Sequence, residues 1–179
     1  MKLIPRAAAL AGLSLLLLSG CQSAKERALC PSVSILANTS AMTVFKPGMQ
    51  GDPAGELYTI QMTRAKAGCS ADIGEGTVDS DSDITFRATR APNGDASHYA
   101  APFYVASVLN GTTILNKAML ATTFTFEPGQ ASITFRENVP STMIKFENGR
   151  KPAEYGLLVG LHLTREQLDY AKNHGRFAP

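Results

Sequence analysis

The sequence predicts an all-β fold, an immunoglobulin-like two-sheet β-sandwich of about seven strands with a short C-terminal helix. Three observations lead there. Apolar residues recur at every second position along most of the chain, Gly, Pro and Asn clusters interrupt these runs at regular intervals, and Cys30 and Cys69 lie where two neighbouring segments can be stapled. An alternating strand has one apolar face, which a second sheet must cover; a barrel is the competing closure. The chain has no Trp, a core marker of immunoglobulin domains, so the strand order stays open.

Val33 and Ile35 alternate with Ser32 and Ser34 in a first short strand. A long loop follows, with Lys46-Pro47-Gly48 and Gly51-Asp52-Pro53 as turn signals. Tyr58, Ile60 and Met62 alternate with Thr59, Gln61 and Thr63 in a second strand, with Cys69 just past its end. Ile84, Phe86 and Ala88 alternate with Thr85, Arg87 and Thr89, which predicts one wet face. Phe103–Leu109 is more uniformly apolar and runs into Asn110-Gly111, a strong hairpin signal, so Ile114–Phe126 should pair back against it. Ser132–Arg136 follows the Glu127-Pro128-Gly129 turn, and Tyr155, Leu157, Val159 and Leu161 mark the last strand. Thr164 and Gln167 form a capping box, Leu163 and Leu168 a hydrophobic staple, and Gly175 a stop, which predicts a helix over 165–173 lying across one end of the sandwich.

The N-terminus has a different character. Lys2 and Arg6 precede an apolar run from Ala7 to Leu18, the layout of a secretory signal and shorter than the roughly 20 residues of a membrane-spanning helix. Leu18-Ser19-Gly20-Cys21 resembles the lipobox of bacterial lipoproteins, which implies cleavage before Cys21 and fatty acylation of its thiol. The expected organisation is a signal at 1–20, a lipidated N-terminus and short tether at 21–29, and one domain at 30–179. Gln22 follows the anchor, and by the same resemblance a residue other than Asp there favours the outer over the inner membrane. In that oxidising compartment Cys30 and Cys69 are left to form a disulfide.

Charge narrows the partners. When Lys2 and Arg6 leave with the signal, 15 of the 17 Lys and Arg remain against 15 Asp and Glu, so no basic patch argues for nucleic acid. Catalytic motifs are missing: there is no G-x-S-x-G elbow, H-E-x-x-H, Walker loop or G-x-G-x-x-G, and no cofactor is expected. His98, His162 and His174 lack mutual ligand spacing. Ser97 beside His98 is only a sequence neighbour, because triads assemble in space.

The most site-like stretch is the acidic run Asp72, Glu75, Asp79, Asp81 and Asp83, expected as a turn whose carboxylates offer calcium-type oxygen ligands. Asp79–Asp83 opens like an EF-hand loop, but Ile84 stands where the turn needs Gly and Arg90 where it needs the bidentate Glu. Solvated loop carboxylates are the plainer reading. Tyr99, Phe103 and Tyr104 around Pro102 form an aromatic cluster, read either as a contact for a glycan or peptide or as core.

Cys30–Leu36 and Tyr155–Leu168 resemble a group of uncharacterised alphaproteobacterial lipoproteins, which implies lipidation and a single β-rich periplasmic domain and transfers no site. The expected function is a lipid-anchored, non-catalytic envelope module that binds another envelope protein or a cell-wall component through the 46–53 and 91–102 loops, with Lys46, Pro47, Tyr99 and Phe103 as contacts. The alternative is a small-ligand or metal receptor using residues 72–83, and an enzyme whose residues assemble only in the fold is a third possibility.

Overall fold

The computed structural model describes residues 30–72, 74–92, 94–147 and 149–174; the signal segment, Cys21, the 21–29 tether and Gly175 lie outside the described residues. Eight strands and one α-helix occur among the described residues: β1 (Ser32–Ile35), β2 (Ala41–Phe45), β3 (Glu56–Asp72), β4 (Thr77–Thr89), β5 (Ser97–Leu109), β6 (Thr113–Phe126), β7 (Ser132–Lys145), β8 (Tyr155–Leu161) and α1 (Arg165–Asn173). They form two four-stranded sheets, ordered β1-β8-β5-β6 and β2-β3-β4-β7, so the fold is the expected two-sheet sandwich. The first strand joins the last in parallel, Val33 opposite Leu157, and every other pairing is antiparallel.

The core lies between the sheets. Ile60, Met62, Ile84 and Phe86 from one sheet meet Phe103, Val105, Phe126, Leu157, Val159 and Leu161 from the other, all buried. Burial along β4 alternates strictly, as the sequence pattern requires. Aromatic rings finish the core at one end, where Tyr58 stands 4.4 Å from Tyr99 and edge-on to Phe124 at 5.3 Å. Burial, and then the neighbouring Tyr99, push the Tyr58 phenol up to about 12.

Several elements differ from the sequence reading. There is an additional strand, β2, inside the segment expected as a loop: Met42 faces the core opposite Ile60, and short turns on either side obscure so brief a run. β3 continues through Cys69 to Asp72, and β4 begins at Thr77, so most of the expected acidic loop is paired strand. Cross-strand partners hold this stretch despite its Ala and Gly content: Ala67 faces Ser82 and Gly68 faces Asp81. β5 starts at Ser97 rather than Phe103, with Pro102 placed where β8 has ended. β7 passes through Pro140, which sits at a register shift on an edge strand where its missing N–H breaks no ladder.

β8 and α1 take the expected spans. The helix carries its capping box, with the Thr164 hydroxyl accepting from the Gln167 amide and the Gln167 side chain accepting from the Thr164 amide. It does not lie across one end, however. Tyr170 and Ala171 are its buried residues, and it packs along the outer side of β2, where the Gln167 side-chain amide donates to the Thr43 carbonyl at 3.4 Å.

Cys30 and Cys69 are bonded, with Cα atoms 5.6 Å apart. Since Cys30 precedes β1 and Cys69 lies in β3, the bond ties one sheet to the other. It also fixes an end of the molecule: around Cys30 gather the β3–β4 turn, the β5–β6 hairpin and the start of β8. In that hairpin Asn110 and Gly111 both take positive φ, 52° and 71°, as the Asn-Gly signal requires. The opposite, far end holds the β2–β3, β4–β5 and β6–β7 connections.

Candidate functional site: a groove at the far end

Beyond β2 the chain turns through Lys46–Asp52, held by the Lys46 amide donating to Gly55 and the Met49 amide donating to Lys46. Between this turn and α1 runs a groove of about 750 Å³, within the size range of small-ligand sites, with Phe45, Gln50, Gly51, Glu166, Tyr170 and His174 among its lining. Its wall is aromatic. Phe45 meets the Tyr170 ring edge-on at 4.8 Å, and His174 stacks on Tyr170 at 3.9 Å.

Tyr170, His174 and Glu166 are each held by hydrogen bonds. The Tyr170 hydroxyl donates to the Glu56 carboxylate, and the His174 Nδ1 donates to the Tyr170 carbonyl at 2.9 Å. Glu166 sits in the first turn of α1, where its own backbone amide, and then the Thr164 hydroxyl, hold its carboxyl below the usual range. The groove therefore offers one fixed anion, an aromatic wall and the exposed amide side chain of Gln50. Such a surface suits orienting a polar or amphipathic group.

The second far-end feature is built by Arg90. Its guanidinium donates to the carbonyls of Gln130 at 2.9 Å, Asp95 at 2.6 Å, Gly94 at 3.1 Å and Glu127 at 2.8 Å, and lies 4.6 Å from the centre of the Phe126 ring. One side chain thus clamps the 91–96 loop to the β6–β7 turn.

Of the sequence-predicted contacts, Lys46 and Pro47 are exposed in the turn that borders the groove. Tyr99 is half-buried against Tyr58, Phe124 and Phe126. Phe103 is 1% exposed and packs on Phe86, so it offers no surface to a partner; inward-facing β5 positions lie under the second sheet. Tyr104 is also buried, laid over Gly160 on the outer side of the first sheet. Cys21 lies outside the described residues.

The acidic run does not form a ligand shell. Asp79, Asp81 and Asp83 sit at every second position of β4 on its solvent side, Asp83 accepts from Asn138 at 3.0 Å, and Asp72 accepts from the Glu75 amide across the turn. Among the described residues no group of three or more His, Cys, Asp or Glu is placed to hold a metal ion. An extended strand spaces such side chains about 7 Å apart along one face, too far for wrapping one cation. The three histidines also stay apart: His98 bonds Thr125, His162 follows β8, and only His174 reaches the groove.

Sequence reading located the groove's turn but not its wall. Tyr170 in α1 and His174 at its C-cap, four apart, were the available signal, and Phe45 joins them only through the pairing of β2. The fold and groove define a small two-sheet sandwich with a surface recess at one end. Compared with known proteins, the chain matches no family model, no curated protein and no solved structure.

Proposed function

We propose that this chain is a lipid-anchored, non-catalytic module of the bacterial envelope, held by acylated Cys21, in the outer rather than the inner membrane, and that it binds another envelope protein or a cell-wall component at its far end. What supports this reading is one geometric fact: the groove, the 46–52 turn and the Arg90-clamped loop all stand at the end opposite Cys30. The residues 22–29 between Cys21 and Cys30 reach at most roughly 26–29 Å when extended. An anchor on that side keeps the Cys30 end near the bilayer and turns the groove away from it. The antiparallel strands act as struts, with 17-residue β3 running most of the length.

A photo-reactive residue placed at Gln50 or Asn173, which line the groove, and at Thr112 on the Cys30 end tests the reading in native envelopes. Adducts with one envelope partner from positions 50 and 173, and none from 112, are expected. Adducts from position 112 alone, or from no position, would overturn it.

A further inference from the structure

β3 carries a bulge midway along its length. Its register with β4 shifts between Met62 and Arg64, and the extra residue, Thr63, donates its hydroxyl to the Thr85 carbonyl at 3.3 Å. In an unbroken ladder Thr63 would stand opposite Thr85 and Arg64 would turn to the core; with the bulge, Arg64 faces Thr85 on the outer side of the sheet. Lys66 follows two residues on, opposite Asp83, and Arg136 meets Thr85 from β7, the other neighbour of β4. Arg64, Lys66, Asp83, Thr85 and Arg136 line one recess of about 80 Å³, separate in its lining from the far-end groove.

These cations gather without a protein counter-ion. Among the described residues the ion pairs join Arg150 to Glu147 and Glu154, and none reaches Arg64, Lys66 or Arg136. The nearest carboxylates are engaged elsewhere. Asp83 stands opposite Lys66 but accepts from Asn138 on its other flank at 3.0 Å, and Asp81 lies over Gly68, where an added Cβ would meet its carboxylate at 2.7 Å. Like charges on neighbouring strands repel, and a bound anion offsets that repulsion.

We propose that this recess binds a phosphoryl dianion, either inorganic phosphate or a phosphate monoester. Charge selects it first: three cations against one carboxylate leave the lining with a formal +2, which matches the roughly −1.5 to −2 of a phosphate ester at neutral pH. A single carboxylate would leave one cation unmatched. Geometry selects it second. Arg64 and Arg136 rise from strands on either side of β4, about 10 Å apart at the backbone, so their planar forks can close on an anion above Thr85 from two sides. Lys66 and the Thr85 hydroxyl supply further donors for the remaining oxygens. Size selects it third, since the recess is far below the roughly 300 Å³ at which small-molecule pockets begin and takes the charged group while any carrier stays outside. Paired strands hold such donors more firmly than loops do. The recess stands whether or not Cys21 is acylated.

The test is titration calorimetry on the full chain in a mild non-ionic detergent, at fixed ionic strength, with inorganic phosphate, phenyl phosphate and acetate as probes. Phosphate binding in the millimolar range or tighter is expected, weakened about five- to tenfold by Arg64→Gln and by Arg136→Gln. Arg165→Gln, which removes the same charge on α1, should leave it unchanged. All three positions are exposed, and thermal melts that match the parent show that each variant folds. Phenyl phosphate bound as tightly as inorganic phosphate, or more so, identifies a carried phosphate, and weaker binding of the ester identifies the free ion. No phosphate binding, acetate bound equally well, or an affinity that the 64 and 136 substitutions leave intact would overturn the proposal. An equal loss with Arg165→Gln would overturn it too, by showing that net charge alone is responsible.

Discussion

Replacing Arg90 by Lys keeps the charge but removes the planar fork that reaches four carbonyls in two separate loops. A lysine ammonium at the end of a flexible stem can satisfy one or two of them. Hydrogen bonds to a charged group contribute roughly 1.5–3 kcal/mol each, and partial exposure of Arg90 lowers that, so the loss of two or three bonds should destabilise the domain by about 2–3 kcal/mol. For a domain of this size that corresponds to a melting temperature lower by roughly 5–10 °C. The damage should also be local, since the 91–96 loop is held chiefly through the Arg90 contacts to Gly94 and Asp95. Thermal melts by circular dichroism, paired with limited proteolysis mapped by mass spectrometry, report both effects. A variant that melts within about 1 °C of the parent, with no new cleavage between residues 91 and 96, would refute the clamp.

Other consequences are more compact. Tyr58 ionises near the ordinary tyrosine value in the unfolded chain but at about 12 in the fold, so stability is whole below pH ~10 and falls by roughly 2–3 kcal/mol as pH rises through that window. Urea titrations at rising pH should show this, and Tyr58→Phe should flatten the decline. Gly160→Ala drives a Cβ into the Thr39 hydroxyl and the Tyr104 ring and should destabilise by about 1–3 kcal/mol in denaturant unfolding. Cys30→Ser, or reduction of the parent, opens a loop of separation 39 and should lower stability by about 2–4 kcal/mol, with the two treatments giving matching melts.

The sequence is most informative where local chemistry decides. β8 alternates cleanly and ends in a capping box, so both it and α1 keep their expected spans. It is least informative where pairing decides: Arg64–Asp72 has weak β propensity and becomes strand because β4 lies beside it, and the run Asp79–Asp83, expected as a loop, is that partner. The same limit hid the groove. Phe45, Gln50 and Tyr170 converge only once β2 adds to β3 and α1 lies along it, and Arg90 finds its acceptors in carbonyls that no motif marks. Phe103 failed as a contact for the opposite reason, since its local pattern does not reveal which face the second sheet covers.

Orientation at the bilayer is the claim on which the functional reading stands, and the chain's lack of Trp makes it measurable. A single Trp introduced at Thr112, on the Cys30 end, or at Gln50, in the groove, serves as an energy donor in the full-length chain reconstituted into vesicles carrying a dansyl-labelled headgroup. Strong transfer from position 112 and weak transfer from position 50 is the expected result. Equal transfer from both, or stronger transfer from position 50, would contradict the anchored orientation.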